Sequence, residues 1–206
     1  MKHIRYCEHN LFIYQLDPNL VLNDWQFDAE LNKAFNQANI ECIEANIGLY
    51  QTIDSVLFKI PGFIKLMDYL YPVVNEVKYK YHITKPILSI RRFWANKIYK
   101  GCESSTHVHS SVTYDSCDFI GLFYYQADNL ASQLILTELD TCGLKDIDIP
   151  KDKKQYIQVC PGMFLFHPPE LVHAVSKHMS EQPRICFVFE FEFIDEDQLN
   201  SKNMYL

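Results

Sequence analysis

The sequence contains no apolar run of the roughly 18 residues that a membrane-spanning helix needs. Its first residues, Met1 to Tyr6, show no secretory signal. Internal repeats, low-complexity segments and glycine-serine linkers are absent as well. We therefore expect a single cytoplasmic domain over residues 1–206, without a membrane partner.

A dense basic patch and a regular cysteine spacing are also missing. The formal net charge is −7, and the densest basic stretch, residues 151–154, is interrupted by Asp152. A nucleic-acid partner, which would be held through its phosphates, is therefore disfavoured. The seven cysteines are odd in number and include no C-x-x-C pair, which argues against a disulfide framework and a zinc ribbon. Reduced thiols in a cytoplasmic protein fit this pattern best.

Helical patterns come first in the chain, and strand patterns dominate after residue 80. Apolar residues recur at helical spacing over residues 27–35 and 63–77, and we expect Pro72 to interrupt or kink the second helix. This order, with 14% aromatic residues, predicts an α+β chain built around an antiparallel sandwich or barrel. The predicted strands cover residues 11–16, 87–94, 120–125, 133–139, 156–159, 163–166 and 184–193.

The last predicted strand is the most informative because its two faces differ. Ile185 and the four phenylalanines at 187, 189, 191 and 193 share one face, since side chains alternate along a strand. Such an apolar face needs a large hydrophobic partner, and the two N-terminal helices are the obvious candidate. The opposite face would then line the barrel, which places Arg184 in the interior.

The segment His107-Val108-His109 is the first candidate for chemistry. In an extended segment these two imidazoles point the same way, with Cα atoms about 6.6–6.8 Å apart. Both can then reach one cation at about 2.0–2.1 Å. Surface histidines without a metal are the alternative for an isolated pair of this kind.

Two residues near the end of the chain extend this candidate site. His173 follows a strand and a proline-rich turn, 64 residues after His109, and Arg184 comes 11 residues later. An interior arginine is costly unless it is paired, either with an acidic side chain or with a bound carboxylate. A bidentate contact between a guanidinium and a carboxylate is the usual way to hold a diacid.

In the order and spacing of these motifs, the sequence resembles the 2-oxoglutarate/Fe(II)-dependent oxygenases, specifically the prolyl-hydroxylase-like group common in phages and bacteria. The resemblance covers about residues 87–193. The matching segments are Trp94-Ala95-Asn96, Gly101, His107-Val108-His109, Gly121 to Tyr125, Pro161-Gly162, Pro168, His173 and Arg184-Ile185-Cys186.

The resemblance implies a double-stranded β-helix (a jelly-roll barrel) buttressed by N-terminal helices. Residues 1–80 would form the helical buttress and edge strands, 81–195 the jelly-roll core and 196–206 a C-terminal tail. The implied activity is hydroxylation with Fe(II), O2 and 2-oxoglutarate as cosubstrate. The substrate is open, and a protein side chain or small molecule is favoured over nucleic acid.

The resemblance also implies roles for individual residues. His107, His109 and His173 would bind the iron, and Arg184 would hold the far carboxylate of oxoglutarate. Tyr124, Asn96 and Cys186 would add contacts to the cosubstrate; for Tyr124 and Asn96 a purely structural role is the alternative.

The sequence departs from the family pattern at three positions. His109 occupies the place where most members have Asp or Glu, so the third ligand is either His109 or a carboxylate such as Asp115. Cys186 replaces the usual serine, which weakens one hydrogen bond to the cosubstrate. His167 stands where the family usually has Phe, either supporting a ligand or packing.

Two other classes of protein remain open at this point. A three-histidine cupin dioxygenase fits the spacing from Gly101 to His109, but its glutamate should follow at 113 or 114, where the chain has Thr113 and Tyr114. A jelly-roll module without catalytic activity would explain the missing carboxylate. That module would bind iron weakly and would not turn over oxoglutarate.

Overall fold

The computed structural model describes residues 1–6, 9–17, 19, 25–36, 48–52, 57–60, 62–109, 117–139 and 142–201. The elements are β1 (Lys2–Tyr6), β2 (His9–Gln15), α1 (Trp25–Asn36), β3 (Leu49–Gln51), α2 (Gly62–Lys80), β4 (Ile87–Ile98), β5 (Ser104–His107), β6 (Phe119–Gln126), β7 (Leu134–Thr137), β8 (Lys154–Ile157), β9 (Met163–His167), β10 (His173–Val175), β11 (Arg184–Ile194) and α3 (Glu196–Ser201). Two 3-10 helices, Asp146–Asp148 and Lys151–Lys153, lie between β7 and β8.

The strands of this described part form two sheets. The larger sheet has the order β1-β2-β9-β6-β11-β4-β3, and the smaller has the order β5-β10-β7-β8. Neighbouring strands are antiparallel in both sheets. This arrangement is jelly-roll-like and confirms the predicted class of antiparallel sandwich or barrel.

Each predicted strand is present with shifted ends, while four short strands were missed. β4, for example, continues to Ile98, four residues beyond its predicted end. The missed strands are β1, β3, β5 and β10, of which β5 reads Ser-Ser-Thr-His and β10 only His-Ala-Val. These segments are too short or too polar to show an alternating pattern, and their pairing with neighbouring strands defines them.

Of the two effects expected of Pro72, the interruption is wrong, since α2 continues through this residue from Gly62 to Lys80. Proline lacks the N–H that would bond to the carbonyl of Asp68. Both residues are exposed, so water can satisfy that carbonyl. No helix in the described ranges combines the length and apolarity needed to cross a membrane.

The outer face of β11 packs against the helices as predicted. Its phenylalanines belong to one buried cluster with residues of α1 such as Leu31 and residues of α2 such as Leu70. The packing is tight: a Cβ atom built on Gly121 would lie 2.6 Å from the ring of Phe191 and 2.9 Å from that of Phe164. The larger buried cluster therefore lies between the large sheet and the helices, and a second one lies between the two sheets.

The inner face of β11 lines a cavity together with the facing residues of β4. Residues directly opposite each other in an antiparallel pair project from the same face of the sheet. The opposed pairs are Arg184 and Ile98, Cys186 and Asn96, Val188 and Trp94, and Glu190 and Arg92. All eight of these side chains line the cavity.

Candidate metal centre and cosubstrate pocket

The smaller sheet brings the three predicted histidines together. His107 ends β5 and lies directly opposite His173, the first residue of β10. His109 follows β5 by two residues, and its backbone N–H donates to the carbonyl of Pro169 at 3.0 Å. One nitrogen from each ring lies within 4.8 Å of the others, so the three donors converge on one region. These residues could hold a metal ion.

Hydrogen bonds fix which ring nitrogen His107 and His173 present to a metal ion. Nδ1 of His107 lies 2.9 Å from the carbonyl of Ser105, and Nδ1 of His173 lies 2.9 Å from the carbonyl of Leu171. A carbonyl only accepts, so both Nδ1 atoms carry the proton and both Nε2 lone pairs are free. Nε2 of His109 is buried without a hydrogen-bond partner. Three imidazole lone pairs are thus available to one cation.

Burial keeps the rings of His107 and His173 in the neutral form that binds a metal. Burial lowers the pKa of His107 to about 4; its ring hydrogen bond to Ser105 opposes that shift, and His109 nearby adds to it. The pKa of His173 is held well below its usual range by burial, with repulsion from the neighbouring histidines as a further cause. At neutral pH no proton has to leave these two rings before a metal binds.

The cavity beside these rings has a volume of about 460 Å³. This volume falls within the range of roughly 300–1,000 Å³ typical of small-molecule sites. His107, His109 and His173 lie on its wall together with Asn96, Arg184 and Cys186. A five-carbon diacid would leave part of this volume for a second molecule.

Arg184 lies inside the barrel, as predicted, and only 2% of its surface is exposed. The salt bridges of the described residues include none to this arginine. Its Nε is buried without a hydrogen-bond partner, and its guanidinium lies 4.9 Å from the ring centre of Tyr124. A buried arginine without a carboxylate partner is costly, so its position indicates an anionic ligand.

The remaining predicted cosubstrate residues surround Arg184 in different ways. Asn96 lines the cavity, and its Oδ1 is buried without a partner. Tyr124 is fully buried against Arg184, away from the cavity wall, and its hydroxyl also lacks a partner. Burial raises the pKa of the Cys186 thiol to about 11, and that thiol points to the carbonyl of Phe187 at 3.6 Å.

Buried polar atoms without partners therefore concentrate at this cavity. More than 90% of such atoms are satisfied in native proteins, so a cluster of exceptions calls for a ligand. Trp94 Nε1, Asn96 Oδ1, His109 Nε2 and Arg184 Nε all belong to residues on the cavity wall. A metal ion and a polar, anionic small molecule fit these donors and acceptors.

The structure adds Glu190, which the sequence prediction missed, as a neighbour of the histidines, and it locates His167 beside them. Glu190 has 4% exposure and places Oε1 at 3.9 Å from Nδ1 of His109. The alternation along β11 already put Glu190 on the inner face, but no motif marked it. His167 packs against His173 with ring centres 4.7 Å apart, and its Nδ1 donates to the carbonyl of Pro168 at 2.7 Å.

The alternative third ligand, Asp115, lies outside the described residues. The same holds for Thr113 and Tyr114, the positions that bear on the cupin alternative. The histidine at 109 is therefore the third ligand candidate that the described residues bring to the site.

No protein-family model matches the sequence, and no curated protein is similar to it. Solved structures are similar in fold. A prolyl-4-hydroxylase from Pseudomonas putida aligns over 90% of this chain and 93% of its own, with a TM-score of 0.61 and 11% identity. HygX from Streptomyces hygroscopicus, with nickel and 2-oxoglutarate bound, aligns over 88% and 82%, with a TM-score of 0.59 and 14% identity.

A viral collagen prolyl hydroxylase from Paramecium Bursaria Chlorella virus-1, in its 2OG complex, aligns over 89% of this chain and 96% of its own. Its TM-score is 0.55 and its identity 15%. At such identities the likeness concerns the fold and not the substrate. It agrees with the resemblance found in the sequence motifs. The chain has the fold of the 2-oxoglutarate/Fe(II) oxygenases.

Proposed function

We propose that the protein is a non-haem Fe(II) dioxygenase that uses 2-oxoglutarate and O2 to hydroxylate a substrate still to be identified. The main support is one juxtaposition: three histidines with free Nε2 lone pairs share a cavity with a buried arginine that lacks a carboxylate partner. The structural neighbours with nickel, iron or 2-oxoglutarate bound support the same reaction class.

His107, His109 and His173 are the proposed iron ligands. Three ligands on one side of an iron ion leave coordination positions for an oxo acid and O2, and the bound iron supplies the oxidative chemistry. The protein orients the His107 and His173 rings through the carbonyls of Ser105 and Leu171. It also encloses the site between two sheets, which limits access of water.

Arg184 is the proposed partner of the far carboxylate of oxoglutarate. Its guanidinium offers a planar fork of donors that matches a carboxylate. Asn96, which lines the cavity and whose Oδ1 is buried without a partner, is proposed to contact the cosubstrate through its side-chain amide. Tyr124, whose ring centre lies 4.9 Å from the Arg184 guanidinium, is proposed to act on the cosubstrate through that arginine. Cys186 is the next residue after Arg184 on the inner face of β11, and its thiol is a weaker hydrogen-bond donor than the hydroxyl of serine.

The finer architecture belongs to the same proposal. We infer that the two sheets form a double-stranded β-helix within a single domain, with α1 and α2 as its buttress. The shared cluster of helix and β11 residues supports the buttress. A protein side chain or a small molecule is the proposed substrate class, because the net charge of −7 disfavours a phosphate backbone.

The decisive experiment is an anaerobic titration of 2-oxoglutarate into the Fe(II)-loaded protein. We expect a weak visible charge-transfer band that grows and saturates, since a keto acid chelated to Fe(II) absorbs there. Full iron loading without the band would contradict the oxoglutarate assignment. A three-histidine cupin would instead respond to a thiol, and a module without activity would bind iron weakly.

A further inference from the structure

A buried carboxylate lies directly behind one of the three candidate ligands. Glu190 projects from the inner face of β11, and its Oε1 lies 3.9 Å from Nδ1 of His109 and 3.6 Å from a terminal nitrogen of Arg92. Only 5% of the Glu190 side chain is exposed. Burying a carboxylate costs free energy unless partners compensate, so these two neighbours account for its position.

The partner of His109 differs in kind from those of the other two rings. Nδ1 of His107 and Nδ1 of His173 each face a neutral backbone carbonyl, whereas Nδ1 of His109 faces an acidic side chain. A carboxylate behind a metal-bound imidazole fixes its tautomer and makes the ring a stronger donor than a carbonyl does. Among the three candidate ligands, His109 is therefore the one with an acidic side chain beside its Nδ1.

We propose that Glu190 is a positioning residue that supplies, through His109, the negative charge missing from the set of three histidines. It accepts the Nδ1 proton of His109 in a hydrogen bond and directs Nε2 toward His107 and His173. This inference rests on the metal centre proposed above, because it assigns a role to Glu190 only if His109 binds the ion.

Other contacts leave the His109 ring little freedom except toward Glu190 and the ion. The ring stacks on His173 with centres 5.1 Å apart and an interplanar angle of 14°, and Trp94 lies 5.6 Å away on a tilted plane. Only 8% of its side chain is exposed. A small rotation of Glu190 within this enclosure would shorten the separation of 3.9 Å to hydrogen-bond length.

The register of β4 places Arg92 directly opposite Glu190. Glu190 lies opposite Arg92 but the next residue, Phe191, lies opposite Ile90, so β4 has an extra residue here. The Arg92 guanidinium also lies 4.8 Å from the ring centre of Trp94. Glu190 Oε1 thus has both Arg92 and His109 as neighbours, and Arg92 is the more exposed of the two.

The test compares Co(II) binding by the wild-type protein, Glu190→Gln and Glu190→Leu under anaerobic conditions. We expect Glu190→Gln to weaken Co(II) binding by about 10- to 100-fold, the usual effect of removing such a partner, and to shift the visible ligand-field bands. Glu190→Leu should weaken it further, because glutamine still accepts the hydrogen bond. Glu192→Gln, two residues along the same strand and away from the cavity, is the matched control and should bind like wild type.

A double-mutant cycle separates positioning from a general structural effect. In a His109→Asp background the charge is already on the ligand, so adding Glu190→Gln should change Co(II) affinity by less than about 2-fold. Apparent melting temperatures of the metal-free variants show whether each one folds. A full additional loss in the His109→Asp background would contradict the proposed route through His109.

The other outcomes are distinct. Unchanged affinity and spectrum in Glu190→Gln would overturn this inference and leave the metal centre standing. Loss of binding in Glu190→Gln but not in His109→Ala would make Glu190 itself the ligand, which also overturns it. A wild-type protein that binds no Co(II) would instead overturn the proposed function, and this inference with it.

Discussion

The two faces of β11 differ in role: the outer face packs in the hydrophobic core, and the inner face lines the candidate site. On the outer face, phenylalanines such as Phe187 and Phe189 are fully buried against other rings, and Phe93 stacks on Phe189 with centres 4.4 Å apart. On the inner face, Arg184 is buried without a carboxylate partner and Glu190 has only distant ones. Packing within the protein accounts for the outer-face side chains, whereas the inner face carries Arg184, whose buried Nε has no partner.

The comparison predicts that damage to the outer face reduces stability and leaves ligand affinity intact. Phe189→Ala should lower the free energy of unfolding by about 3–5 kcal/mol, because it removes a fully buried ring and leaves a cavity. Urea unfolding of the metal-free protein measures this change. Co(II) affinity, determined where the variant is still folded, should match wild type, and a large loss there would contradict the separation of the two faces.

Removing a candidate metal ligand should have the opposite effect: metal affinity should fall, whereas the stability of the metal-free protein should change little. His173→Ala should weaken Co(II) or Fe(II) binding by more than about 100-fold, since even loss of a ligand's supporting partner costs 10–100-fold. The matched control is His178→Ala, because His178 is equally buried but both its ring nitrogens are satisfied, by Ser132 at 3.0 Å and Gln182 at 2.7 Å.

Isothermal titration with Co(II) distinguishes these two histidines. The His178 variant should lose stability and keep its metal affinity. Metal binding by His173→Ala that equals wild type would remove His173 from the ligand set and with it the proposed centre.

Arg184→Met tests whether the buried charge of Arg184 binds a ligand or stabilises the fold. The substitution should weaken 2-oxoglutarate binding by at least about 10-fold, or 1.4 kcal/mol. It should leave the metal-free protein as stable as wild type or more so, because replacing a buried charge by an apolar chain is often neutral or stabilising. Equilibrium dialysis with Co(II) present and urea unfolding give the two readouts.

Arg184→Lys is the companion variant, which keeps the charge and loses the planar fork. Its 2-oxoglutarate affinity should lie between those of wild type and Arg184→Met. Strong destabilisation by Arg184→Met with unchanged affinity would reverse the interpretation and make the arginine structural.

The features of this site that could be predicted from the sequence are those that follow from the alternation of side chains along a strand. Alternation along β11 placed Arg184 inside and Phe189 outside, and the H-x-H spacing placed two rings on one side of an extended segment. The partners of those residues depend on pairing between distant strands. Glu190 lies on β11 in the larger sheet, whereas His109 follows β5 in the smaller sheet, so their contact depends on how the two sheets pack, which leaves no pattern in the sequence.

The smallest expected effect concerns Cys186, which stands where the related oxygenases have serine. Burial raises the pKa of its thiol to about 11, so it is a neutral, weak donor, and it points to the carbonyl of Phe187. Cys186→Ser should tighten 2-oxoglutarate binding by up to about 10-fold, the equivalent of one ordinary hydrogen bond.

Cys186→Ser should also reduce the free energy of unfolding slightly, by about 1 kcal/mol, because a buried hydroxyl without the cosubstrate is costly. Cys186→Ala, which has no donor, is the control and should bind no more tightly than wild type. Dialysis with Co(II) present measures both affinities. If Cys186→Ser and Cys186→Ala bind 2-oxoglutarate equally, the side chain at this position makes no contact with the cosubstrate, and Arg184 and Asn96 remain its proposed polar contacts on this wall of the cavity.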